Sequence, residues 1–275
     1  MTIFRYPGGK SKYLKFLRPY LERLSKVSEH FHDCFVGGGS VVLDFAKNYP
    51  RHTIHINDLD EWIYSFWLIV SGNRASSDFY RLLEMVSEKP TVELFERYRE
   101  TPPATFVDKA YYALFFNRTT FSGIRSAHPI GGFGQKSKWT VACRYNPQRL
   151  SDEIFEAHTL LRHRTIVTNC DISNYLNGFT ELDKHSFYLD PPYLDKGSQL
   201  YECSMTKKQH RLLAMALKSV PNWVLSHGNS DYIKRIYKYA NIGVMDARYS
   251  INGAKISWAD AKEMVIFSDS ILGKS

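Results

Sequence analysis

Seven short apolar runs, separated mostly by helical patterns, limit what this chain can fold into more than any other feature. They lie at residues 31–36, 53–57, 165–169, 186–189, 223–226, 243–246 and 263–267. Each has the length of a buried strand and stops near a polar residue or a glycine. Helical patterns at 40–48 and 207–217 fall between them. Strand alternating with helix predicts βαβ units around a largely parallel sheet, hence an α/β, Rossmann-like fold. The last two runs are joined by a polar segment without a long helical pattern, which predicts an antiparallel pair.

The alternation stops between residues 71 and 150. Patterns at 79–86, 92–99 and 108–116 are helical, and glycine-rich turns follow at 121–123 and 130–134. The segment 138–141 predicts one arm of a β-hairpin. We read 71–150 as an inserted helical and β-hairpin domain, and 1–70 with 151–275 as the domain that carries it. At 275 residues the chain is long enough for both. The longest apolar run, 66–70, is far short of the roughly 18 residues that cross a bilayer, so no membrane partner is expected. The N-terminus reads as no signal peptide, and the four cysteines make no C-x-x-C pair; reduced thiols in a cytoplasmic protein are expected. The ten histidines look scattered along the chain, so no metal site is expected.

Charge points to a polyanion. Lys and Arg number 36 against 28 acidic residues, a formal +8. Between Lys109 and Arg149 there are seven basic residues (Lys109, Arg118, Arg125, Lys136, Lys138, Arg144 and Arg149) and no acid, with aromatics interleaved. A solvated surface normally mixes both signs, so this stretch reads as a face held against phosphates.

Two motifs carry chemistry. In Asp33-Cys34-Phe35-Val36-Gly37-Gly38-Gly39-Ser40 a strand runs through three glycines into a helix. Such a turn lets backbone approach a ligand and presents a helix N-terminus to it, though many α/β proteins have one for tightness alone. Asp58 lies 19 residues past Gly39. An acid at that spacing commonly accepts from ribose hydroxyls; the bland alternative is a helix N-cap. The second motif is Phe187-Tyr188-Leu189-Asp190-Pro191-Pro192-Tyr193. Two prolines stiffen the backbone and remove two donors. What remains is a corner of acceptors, the Asp190 carboxylate and the Pro191 carbonyl, beside the flat ring of Tyr193. A planar ring amine is a poor nucleophile because its lone pair is delocalised. Two acceptors aimed at its two N–H bonds localise that pair, and an aromatic can stack on an extruded base.

These motifs resemble those of the amino-group methyltransferases that use S-adenosylmethionine. Asp190-Pro191-Pro192-Tyr193 is similar to their motif IV and Phe35-Val36-Gly37-Gly38-Gly39 to their motif I. Phe4-Arg5-Tyr6-Pro7-Gly8-Gly9-Lys10 resembles motif X of the adenine-specific DNA enzymes. The order of these motifs, with an insert before Asp190, resembles the Dam-like alpha class of N6-adenine-specific DNA methyltransferases. The insert segment from Asn117 to Gly123 is similar too. The resemblance implies methyl transfer from S-adenosylmethionine to adenine in double-stranded DNA by base flipping, without a metal. It gives the target amine to Asp190 and Pro191, with Pro192 stiffening the corner, and the flipped base to Tyr193. It gives the cofactor to Tyr6, Lys10, Phe35, Val36, Gly37, Gly39, Ser40, Asp58, Asp171 and Asp190. Lys10 could pair with the cofactor's carboxylate or be a surface lysine, and Asp171 could face the adenine or cap a helix. Asn117, Arg118, Arg125, Lys136, Lys138 and Arg144 are the candidate DNA contacts. Pro often follows the motif I acid in the family, where this chain has Cys34. Rival readings are an RNA or protein amide methyltransferase, a DNA-binding relative without catalysis, and a nicotinamide-dependent oxidoreductase. The last is weakened because the third position of G-x-G-x-x-G, counted from Gly37, is Val42.

Overall fold

The computed structural model describes residues 2–5, 9–194, 204–245, 250–251, 254–255 and 263–272. Tyr6, one of the residues assigned to the cofactor, lies outside the described residues. The strands are β1 (His30–Asp33), β2 (Thr53–Asn57), β3 (Thr165–Thr168), β4 (His185–Leu189), β5 (Trp223–Gly228), β6 (Asn241–Met245), a short pair β7 (Ser250–Ile251) and β8 (Ala254–Lys255), and β9 (Glu263–Phe267). The main sheet runs β3-β2-β1-β4-β5-β9-β6. Its first five strands are parallel, and β9 pairs antiparallel with both β5 and β6. All seven runs read from the sequence form strands, including the antiparallel end.

Helices cover both faces. On one face lie α1 (Leu14–Val27), α2 (Ser40–Asn48) and α3 (Glu61–Val70). The helices of the 71–150 region join them: α4 (Ser76–Ser87), α5 (Val92–Glu100) and α6 (Phe106–Thr119), with α7 (Pro147–Leu161) after them. On the other lie α8 (Ile172–Leu176), α9 (Lys207–Ala216) and α10 (Asp231–Ile236). Residues alternate between the two cores along each strand: Tyr188 and Val224 face the first, Phe187, Leu189, Trp223 and Leu225 the second.

α6 is apolar on nearly every side. Ala110, Tyr111, Leu114 and Phe115 are fully buried, and it packs along α3, which is equally apolar. Both therefore sit inside the first core, shared with Phe31 and Ile54 of the sheet. α7 spans residues on both sides of position 150. One expectation fails. Residues 138–141 form bends and the start of a turn, not a hairpin arm, and the pairing in this stretch is a single bridge between Thr120 and Pro129. The loop is knitted instead by Gln135. Its Nε2 donates to the carbonyls of Ile130 and Gly132, and its Oε1 accepts from Val141 N. One polar side chain thus satisfies backbone groups that a ladder would have paired. No helix among the described residues is long and apolar enough to cross a membrane.

Candidate active site

The strand order reverses between β1 and β4, and at such a point an open parallel sheet leaves a crevice beyond its carboxyl ends. A deep pocket opens there. Asp33 ends β1, Asp58 follows β2, Asp171 follows β3 and Asp190 follows β4; all four line it, with Phe35, Val36, Gly37 and Ser40 of the glycine loop.

The glycine loop is locked from behind. Gly39 has φ +72°, and a Cβ there would collide with the Trp67 ring, so only glycine fits. Trp67 Nε1 donates to Gly37 O at 3.0 Å. Gly37 N in turn donates to Asp58 Oδ2 at 2.9 Å, while Asp60 N donates to Asp58 Oδ1 at 3.0 Å. The N-cap of α3 is Asp60, which accepts from Trp62 N, so the capping alternative for Asp58 falls away. Asp171, by contrast, does cap a helix: it accepts from Ser173 N at 2.9 Å while also lining the pocket.

The pocket is acidic inside a basic protein. Asp33, Asp58, Asp60, Asp171 and Asp190 line it, against Lys10 and Arg125. Burial, then the charges of Asp190 and Asp58, push Asp33 up to about 8, and its Oδ1 is buried with no hydrogen-bond partner. Burial and then Asp60 push Asp58 up to about 7. Such a site favours a ligand with net positive charge, and S-adenosylmethionine, with a sulfonium and an ammonium against one carboxylate, fits it.

The proline corner is held rigidly. Asp190 Oδ1 takes Lys10 Nζ at 2.8 Å and Ser226 Oγ at 3.0 Å, and Ser226 is linked to Tyr188 OH at 2.7 Å. Pro192 O faces His210 Nε2 at 3.1 Å. Asp190 Oδ2 and the Pro191 carbonyl have no hydrogen-bond partner among the described residues. Tyr193 stacks on His227 with ring centroids 4.5 Å apart, and a Cβ on Gly228 would press on its ring at 3.1 Å. Its hydroxyl donates to Glu263 Oε2 at 2.5 Å and accepts from Lys10 at 2.9 Å. Burial and the charges of Asp190 and Glu263 keep the phenol protonated. Lys10 is thus buried and engaged at the proline corner, and the surface-lysine alternative fails. Glu263, Ser226 and His227 were not read from the sequence. They come from the distant ends of β9 and β5, and only the polar Ser226-His227-Gly228 ending of an apolar strand hinted at them.

The candidate DNA contacts divide. Asn117 is buried and clamps the backbone of Arg5, accepting from its N at 2.7 Å and donating to its O at 3.0 Å. Arg118 is inside as well: it donates to the Ile3 carbonyl and lies 3.9 Å from Glu153. Burial lowers its pKa to about 10, with Glu153 the main opposing charge. Arg125 pairs with Asp60 at 2.5 Å and lies 3.9 Å over the Trp62 ring. Lys109 meets Glu61, and Arg149 meets Glu153 at 2.9 Å. The stretch that is acid-free in sequence is therefore supplied with acids in space. Lys136, Lys138 and Arg144 are exposed and have no acidic partner among the described residues. Arg5, also exposed, lies near enough to Arg144 and Arg149 to feel their charges, an association that the sequence did not signal. Phe121, Phe133 and Trp139 stand exposed in the same stretch, whereas Tyr111, Tyr112, Phe115, Phe116 and Tyr145 are core.

A parallel sheet ending in one antiparallel strand set between the fifth and sixth, with a glycine loop and Asp-Pro-Pro-Tyr at its switch point, is the fold of an S-adenosylmethionine-dependent methyltransferase. The family model for the D12 class N6 adenine-specific DNA methyltransferases matches residues 6–251, and the chain belongs to that family. Its members methylate adenine in DNA with S-adenosylmethionine. No curated protein matches the chain.

Proposed function

We propose that this enzyme methylates adenine N6 in double-stranded DNA after rotating the base out of the duplex, with the roles divided as follows. Asp190 Oδ2 and Pro191 O accept the two N–H bonds of the target amine. The observation that carries this is that, among the described residues, these two acceptors have no partner in a corner otherwise tied down by Lys10, Ser226 and His210. With both N–H bonds held, the lone pair localises on nitrogen and points along the line of attack. Tyr193, fixed by His227 and Glu263, offers its ring as the platform for the base.

Asp58, Asp171 and Asp33 hold the cofactor against the backbone of Gly37 and Gly38, while Gly39, turned against Trp67, shapes the loop without lining the pocket. Bound there, S-adenosylmethionine supplies an electrophilic methyl group on a sulfonium. The amine attacks as a neutral nucleophile, the thioether departs neutral, and the methylated nitrogen sheds one N–H proton to water, so transfer needs no metal in the pocket. Lys10 fixes the Asp190 carboxylate and links it to Tyr193, which makes it a positioning residue for the amine corner.

Residues 71–150 serve as the target-recognition insert. Lys136, Lys138 and Arg144, with Arg5, supply the phosphate contacts, because they are cations with no acid to neutralise them among the described residues. Asn117 and Arg118 act behind that surface, fixing the backbone of Arg5 and Ile3. A DNA substrate places the work in the cytoplasm and away from membranes.

The test is transfer of tritiated methyl groups to duplex DNA, single-stranded DNA, RNA and protein, with nucleoside analysis of the product. Label in duplex DNA as N6-methyladenine is expected. Label in RNA or protein alone would overturn the proposal.

A further inference from the structure

Four histidines that are far apart in the sequence meet on one face of the sheet. Residues 30 and 32 of β1 point to the same side, as alternate residues of a strand do. In register, His30 sits beside His185 of β4, and His32 sits between His55 of β2 and Phe187 of β4. The expectation of scattered histidines fails here, because parallel pairing brings together positions that sequence spacing keeps apart.

The rings are close and mutually bonded. His30 Nδ1 lies 3.1 Å from His55 Nε2, a separation at which two imidazoles share one proton between two lone pairs. One ring nitrogen from each of His30, His55 and His185 falls within 4.8 Å of the others. Across a tetrahedral zinc ion with bonds of about 2.0–2.1 Å, ligand nitrogens lie roughly 3.3 Å apart, so modest ring movements close the triangle. His32 supplies the outer support that such ligands usually have. Its Nε2 lies 2.8 Å from His185 Nδ1, and its Nδ1 lies 2.7 Å from Tyr175 OH. Phe179 walls the cluster, stacking edge-on against His32 and His55. His32 and His55 are buried while His30 and His185 are half-buried, so the cluster has a route to solvent. Glu181 and Asp183 are near enough to act on His185 and would favour a cation beside it.

We propose that His30, His55 and His185 bind a divalent transition-metal ion of the zinc type between the amino ends of β1 and β4 and the middle of β2. Three neutral imidazoles without thiolate or carboxylate suit zinc, cobalt, nickel or copper rather than magnesium or calcium. The site is at the opposite end of the strands from the methyl-transfer pocket. Its role is to clamp three strands, and it is independent of the reading of that pocket.

The probe is Co²⁺ added to tag-free full-length protein, read by its visible d–d absorption, with thermal melting in Zn²⁺ alongside. One equivalent of tightly held Co²⁺ is expected, with a band typical of four-coordination. Zn²⁺ at a hundredfold excess over its dissociation constant should raise the melting midpoint by roughly 5 °C. His30→Gln and His185→Gln should each abolish the band and the shift, while His163→Gln, outside the cluster, should keep both. The two half-buried positions are chosen so that at least one variant folds, as circular dichroism would show. No band in the wild type, or a band that survives in a folded His30→Gln or His185→Gln protein, overturns the proposal.

Discussion

At the carboxyl ends of β1, β2, β3 and β4, five aspartates line a pocket whose glycine loop and proline corner are held by other side chains. On the 109–149 surface, Lys136, Lys138 and Arg144 project from irregular backbone with no acid to hold them among the described residues. The first region carries excess negative charge at a cost: Asp33 and Asp58 are pushed up to about 8 and about 7. The second leaves its charge to solvent. The contrast fits the division of labour proposed above. A small cation bound in one geometry rewards rigid, partly desolvated acceptors, whereas phosphates on a long polymer reward mobile cations that give up counterions.

The largest expected effect is at the proline corner. Asp190→Ala should lower methyl transfer by about 100-fold or more while circular dichroism stays unchanged, since an oriented acceptor for the amine is lost. Transfer near the wild-type rate would break the assignment of the pocket's chemistry.

Asp58→Ala should weaken S-adenosylmethionine binding by roughly 1.5–3 kcal/mol, the worth of hydrogen bonds to a charged acceptor. Calorimetric titration reads this, and an unchanged affinity would reduce Asp58 to a brace for Gly37.

Arg118→Ala separates the two kinds of cation in the 109–149 stretch. It should destabilise the fold by roughly 1–3 kcal/mol, because the Ile3 carbonyl loses its partner and Glu153 a neighbour. It should leave the salt dependence of DNA binding unchanged. A flattened salt slope with normal stability would return Arg118 to the DNA-contacting face.

A smaller effect concerns pH. Between pH 6 and 8 the raised carboxyls of Asp58 and Asp33 lose their protons, and a cationic ligand prefers them ionised. Affinity for S-adenosylmethionine should therefore rise over that window, by up to about tenfold for each group that titrates in it, with proton release on binding. A fall in affinity from pH 6 to 8 would contradict the charge account of the pocket.

The pocket was largely legible in the sequence because its parts are local. Asp33 to Ser40 and Asp190 to Tyr193 are each continuous, and the strand ends that carry them follow from apolar runs. What closes the site was not legible. Glu263 reaches Tyr193 from β9, and Trp67 meets Gly37 from α3; both contacts depend on sheet order and helix packing. The cationic face was only half legible. Sequence showed seven basic residues without acids, but Glu61, Asp60 and Glu153 lie outside the window and pair with four of them. The hairpin expected at 138–141 fails for a related reason: Gln135 satisfies the backbone that a second arm would have met.

The central claim is that these two regions work separately, one on the cofactor and one on phosphate. The Lys136→Ala/Lys138→Ala double variant tests it most directly when its affinities for S-adenosylmethionine and for duplex DNA are both measured across a salt series. The account predicts an unchanged cofactor affinity, weaker binding to unrelated duplexes alike, and a log–log salt slope flatter by about 1.8, at roughly 0.9 per phosphate contact. Wild-type DNA affinity and slope, or a loss of cofactor affinity equal to the loss for DNA, would contradict it.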